Sequence, residues 1–163
     1  MAADAAKARR RAIVERLWTW LDDCLTLNDY ETYTLSMNKD FPVHRAKVMP
    51  LITVAVGEHR LDSQVYGRLM PEKGMTAMYP FTFFIYHWKT DDPNHSHNYD
   101  VHILTDLIVK YMRTKSGNST EMTASNIFKV DDVTARESDP VGMRALSRMI
   151  LSGTISAKRE DVT

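Results

Sequence analysis

The sequence predicts an α+β fold: a mainly antiparallel sheet with a long N-terminal helix and a second helix packed on the sheet. Three observations carry this expectation. The stretch Met78 to Lys89 is the most aromatic part of the chain, and it reads as a central strand. Two stretches, one near the N-terminus and one after Asn98, carry apolar residues at helical spacing. The remaining apolar runs are short, are separated by turn signals and have no helices between them, as in an antiparallel meander.

In chain order, Ala2 to Leu27 is rich in Ala, Arg, Glu and Leu and lacks Pro and Gly, which favours a helix. Ile13, Leu17, Trp20, Leu21 and Cys24 form one stripe, widened by Val14, Trp18 and Leu25. Residues 1–11 have no apolar anchor beyond alanine and Met1, so they are expected to form an arm that orders against a neighbour. Arg9, Arg10 and Arg11 give that arm a basic run, suited to solvent, to an acidic partner surface or to nucleic acid. Asn28-Asp29 marks the turn out of the helix.

Tyr30 to Met37 alternates as a half-buried strand at or near a sheet edge. Asn38 to Pro42 is a loop. Pro50 lacks a ladder donor, so the next strand is expected from Leu51 to Val56. A turn at Gly57 to Arg60 and a third strand over Asp62 to Met70 follow, then a polar connection over Pro71 to Met78. In the aromatic strand, Phe81, Phe83, Ile85 and His87 share one side; Thr82, Phe84, Tyr86 and Trp88 share the other. Apolar groups on both sides call for two covers. The second helix supplies one. The N-terminal helix either supplies the other or leaves that face for a neighbouring molecule.

Asp91 to Asn98 is a loop that leads into the second helix, with Ser96 or Asn98 as the cap and Asp100 in the first turn. Val101, Leu104, Leu107, Ile108, Tyr111 and Met112 form its stripe, and Arg113, Lys115 and Gly117 suit its end. Ser116 to Ser125 is a polar loop. Ile127 to Glu137 reads as a strand, and Ser138-Asp139-Pro140 with Gly142 breaks the chain. Met143 to Lys158 fits either period, but three serines, a threonine and a glycine between Ser147 and Ser156 favour a long strand. Lys158 to Thr163 is a charged tail. One domain over residues 1–163 is expected.

Composition narrows the function classes. Of 163 residues, 44% are hydrophobic and 26% charged, so there is material for a real core. Lys and Arg total 21 and Asp and Glu total 21, a balance unlike that of a protein held to DNA mainly by phosphates. A neutral chain also has little self-repulsion, which suits dense assembly. The single Cys24 leaves no internal disulfide and no multi-cysteine zinc site, and its place in an apolar stripe marks it as a buried, inert thiol. No apolar run approaches membrane-spanning length, and charges stand where a secretion signal would need an apolar core.

Histidine is the one residue type that suggests chemistry. His95 and His97 lie in a loop beside Asp91, Asp92 and Asp100, with His87 and His102 on either side, and such a set could hold a divalent metal. Ordinary turn chemistry explains the same residues more simply. No Gly-x-Ser-x-Gly elbow and no phosphate-binding glycine cluster is present. Nothing in the sequence marks an enzyme, and no cofactor is implied.

The helix from Ile13 to Leu25, the aromatic strand Phe81 to Trp88, the helix Asn98 to Arg113, and the ending from Ser138 to Arg144 and on through Met149 to Ile155 together resemble the tail terminator (tail-completion, or neck) proteins of tailed bacteriophages and related viruses. The resemblance lies in the order of elements across most of the chain. It implies a structural virion subunit that closes into a hexameric ring between tail tube and head connector. It implies contacts with those proteins and non-specific contact with passing DNA, with no membrane and no catalytic residues. On this reading the interface candidates are Arg9, Arg10, Arg11, Phe84, Tyr86, Trp88, Arg144 and Arg148. A monomeric or dimeric adaptor for a protein or nucleic acid, and a metal-dependent enzyme using the histidines, are the rival expectations.

Overall fold

A computed structural model of the chain describes residues 2–37, 42–43, 48–57, 60–61, 76–89, 100–116, 127–142 and 145–158. The elements run α1 (Ala2–Leu27), β1 (Thr34–Ser36), β2 (Leu51–Val56), β3 (Arg60–Leu61), β4 (Thr76–Trp88), α2 (Val101–Ser116), β5 (Ile127–Glu137) and β6 (Leu146–Lys158). The expected α+β class with a mostly antiparallel sheet is what forms.

Among the described residues the sheet has six strands, in the order β1-β2-β4-β6-β5, with β3 pairing onto β4. The aromatic strand β4 is its centre. It pairs with β6 along its whole length, from Thr76↔Lys158 to Trp88↔Leu146, and with β2 from Leu51↔Tyr86 to Val56↔Phe81. All these pairs are antiparallel, as are β5·β6 and β3·β4. The expected meander is corrected in two places. The edge strand β1 runs parallel to β2, from Thr34↔Leu51 to Ser36↔Thr53. The last strand, β6, inserts between β4 and β5. Two boundaries also shift: β4 begins at Thr76, inside the expected polar connection, and Arg60 belongs to β3 and not to a turn. The expected strand over Asp62 to Met70 lies outside the described residues.

Both helices lie on one face of the sheet. The core joins Ile13, Leu17, Trp20, Leu21, Cys24 and Leu25 of α1 with Val101, Leu104, Ile108 and Met112 of α2. Beneath them lie Ile52 and Val54 of β2, Tyr79, Phe81, Phe83 and Ile85 of β4, and Met149, Leu151 and Ile155 of β6. The cross-strand register explains the grouping, because Ile52, Ile85 and Met149 form one row and Val54, Phe83 and Leu151 the next. Each large side chain buried here contributes roughly 1.5–3 kcal/mol. The seam between the helices, lined by Leu17, Trp20, Leu21, Cys24, Phe83, Ile108, Tyr111 and Met112, leaves no space for a water molecule.

Local chemistry fixes the ends. Asp29 takes a positive φ of 64° as α1 turns out. The cap of α2 is Asp100, whose Oδ1 accepts from the backbone N–H of His102 at 2.8 Å and of Ile103 at 3.2 Å. It is the cap rather than a first-turn residue, which corrects the expected start at Ser96 or Asn98. Arg113 and Lys115 close the last turn as expected. Gly57 passes so close to β4 that an added Cβ would lie 2.8 Å from Pro80 Cγ, and its N–H donates to the Pro80 carbonyl at 2.7 Å.

Candidate functional site

The face of the sheet turned away from both helices is where the candidate residues collect. Alternation along β4 sends Thr82, Phe84, Tyr86 and Trp88 there, opposite to the side chains that enter the core. The register sets Leu51 and Arg148 on either side of Tyr86, and Thr53 and Ile150 on either side of Phe84. Leu146 stands opposite Trp88. Leu51, Tyr86, Leu146 and Ile150 are buried and Phe84 is half-buried, whereas Trp88 is 51% exposed. The apolar character of this face is therefore largely satisfied within the chain, and it opens at the Trp88 end.

That end is built by the β5–β6 hairpin. The Arg148 guanidinium lies 5.9 Å from the centre of the Tyr86 ring, a cation–π pair between direct cross-strand neighbours. Its Nε donates to the Ser138 carbonyl at 2.7 Å and one terminal nitrogen to Ser138 Oγ at 3.1 Å. Arg148 thus braces the hairpin, and its charge is already engaged. Lys89 Nζ meets Asp139 Oδ2 at 2.9 Å, and the Lys89 N–H donates to the Ala145 carbonyl at 2.8 Å. The hydrogen bond from Lys89 holds the exposed Asp139 carboxyl below the usual carboxylate range. At the tip, Gly142 takes a φ of 78° and presents Val141 fully to solvent.

The other sequence-predicted residues are scattered. Arg11 is exposed and pairs with Glu15 at 2.8 Å along α1. The side chains of Arg9 and Arg10, and residues Arg144, His95 and His97, lie outside the described residues. The described histidines do not converge: His87 is buried beneath the helices with Nδ1 accepting from the Trp88 N–H at 2.8 Å, and His102 is exposed at the start of α2, 4.0 Å from Glu137. Among the described residues no group of three His, Cys, Asp or Glu side chains is placed to hold a metal. Burial raises the Cys24 thiol from 9.0 to about 11, against a smaller opposing effect of its hydrogen bond from Asn28. Sequence reasoning missed Val141, because its signal is only an apolar residue between Pro140 and Gly142 in a turn. Thr53 was also missed: it is 1% exposed, and its Oγ1 has no hydrogen-bond partner among the described residues.

A shallow groove of about 550 Å³ runs beside Asp106, Val109, Lys110, Arg113 and Thr114 of α2. It is mixed in charge, and the Thr114 hydroxyl on its wall donates to the Lys110 carbonyl at 3.0 Å. No helix among the described residues is long and apolar enough to cross a membrane. Compared with known proteins, the chain matches no family model and no curated sequence.

Proposed function

We propose that the chain is a structural, non-enzymatic subunit of the tail terminator or tail-completion type, forming a homo-oligomeric ring at the head–tail junction of a virion. The observation that carries this reading is the half-open end of the sheet's second face. Both helices cover the other face, and the exposed Trp88 lies on a strand whose next residue, Lys89, is tied to the hairpin bearing the fully exposed Val141. An aromatic held on braced backbone beside an exposed valine makes a rigid contact surface, and aromatic anchors dominate many protein interfaces. The order of elements that resembles tail terminators, and the equal numbers of acidic and basic residues, 21 each, agree with a densely packed subunit.

In this reading the start of the long helix α1, with Arg9, Arg10 and Arg11, reaches a neighbouring subunit or the DNA passage. The polar loops meet tail-tube and head-connector proteins. The ring is hexameric, and the work is done by shape and contact, with no cofactor. Light scattering after size exclusion, with negative-stain images, tests it. A closed ring of six subunits is expected at high protein concentration. A strict monomer under those conditions overturns the ring, and a two-subunit particle favours an adaptor.

A further inference from the structure

We propose that the outer edge of β5, over Val133 to Glu137, pairs antiparallel with the same edge of a second copy of this chain, continuing the sheet across a two-fold axis. The inference starts from the hydrogen-bond pattern of the hairpin. The Ser138 N–H donates to the Arg148 carbonyl at 2.9 Å, so the backbone of residue 138 faces β6. Pairing continues through Glu137↔Met149, Arg136↔Ile150, Ala135↔Leu151 and Thr134↔Ser152. In an antiparallel ladder, backbone groups turn alternately toward one neighbour and the other. Residues 138, 136 and 134 therefore bond to β6, and Ala135 and Glu137 turn their N–H and C=O groups away from the sheet.

β5 is the last strand of the sheet, and among the described residues no strand lies on its outer side. The side chains of Thr134, Ala135, Arg136 and Glu137 are all exposed. An exposed edge with outward amides is a template for another strand. Charge selects the occupant and the register. If Ala135 faces Ala135 of the second copy, Thr134 faces Arg136 and Val133 faces Glu137, with no like charges opposed. Sliding one way sets Arg136 against Arg136 of the second copy. Sliding the other way runs the pairing into the irregularity between Asp131 and Thr134. The small Ala135 on the axis also lets the two backbones approach.

The contact is isologous, so it differs from the head-to-tail contacts that close a ring and does not rest on the ring reading. If both occur, two rings pair face to face.

Two variants of the full chain test it. Residues facing each other in a hydrogen-bonded antiparallel pair have Cα atoms about 5.5 Å apart, within disulfide reach. Ala135→Cys is expected to form an intermolecular disulfide under mild oxidation, whereas Glu137→Cys, whose counterpart is displaced along the strand, is not. Ala135→Pro removes an outward donor and leaves the bonds to β6 in place. It is expected to halve the particle mass with an unchanged circular dichroism spectrum. Equal cross-linking at both positions, or none at Ala135, overturns the pairing. A ring that keeps its mass in Ala135→Pro and gives no Ala135→Cys cross-link overturns the pairing and leaves the ring standing. A two-subunit wild type that Ala135→Pro converts to monomer supports the pairing and overturns the ring.

Discussion

Cys24 shows how far a single residue can be read from sequence. Its place in the stripe Ile13, Leu17, Trp20, Leu21 predicted a buried thiol, and it is 1% exposed, with Sγ 3.7 Å from the Leu107 carbonyl. Burial lifts its pKa to about 11, and burial likewise lifts Tyr30 from 10.0 to about 12. Both groups hold their protons more tightly folded than unfolded. Their contribution to stability is therefore complete below about pH 9 and is lost as pH rises toward the folded values. The urea midpoint is expected to fall between about pH 9 and 11, and to fall less in Cys24→Ala, which cannot ionise at that position. Equal falls in both proteins would show that the thiol is not held protonated by the fold. Capping was harder to read. Ser96, Asn98 and Asp100 can all accept backbone N–H bonds, and only the backbone path shows that Asp100 does so for α2.

The elements divide by whether their signal is local. The stripe of α2 needs only sequence spacing, and the side chains the spacing placed inward are buried at Val101, Leu104, Ile108 and Met112 and half-buried at Leu107 and Tyr111. Adjacent positions on this helix should therefore respond very differently. Leu104 is fully buried and Ile103 is 39% exposed. Leu104→Ala is expected to cost about 2–5 kcal/mol in chemical denaturation, and Ile103→Ala under about 1 kcal/mol. Comparable losses would mean that α2 is rotated so that Ile103 also faces the core. The order of strands had no such local signal. β1 reads as a half-buried edge strand, but its direction depends on the path over residues 37–50, which is long enough for a parallel connection. β6 pairs with β5, its neighbour in sequence, and also with β4 along its full length, and that second pairing is set by a partner distant in sequence.

At the scale of the molecule, the question left by the aromatic strand was which cover each face has. α1 and α2 share one cover, so the second face is not the underside of the N-terminal helix. The alternation in sequence located that face. It could not show that Leu51, Tyr86 and Ile150 would be buried within the chain while Trp88 stayed half open, because burial depends on elements far apart in sequence. Assembly through this face would then be confined to its Trp88 end and to Val141. Those two positions should separate folding from association. Val141 is 100% exposed and makes no packing contribution that serine would remove, so Val141→Ser is expected to change folding stability by less than about 0.5 kcal/mol. Trp88→Ser removes a half-buried ring opposite Leu146 and is expected to cost about 1–2 kcal/mol. If this end is an interface, the double variant should stay folded while the self-association made through this end weakens by roughly tenfold or more, since about 1.4 kcal/mol of lost contact is enough for that. Sedimentation over a range of concentrations reads association, and urea denaturation reads folding on the same samples. Unchanged association with both anchors gone would exclude this end of the sheet as the surface through which subunits meet.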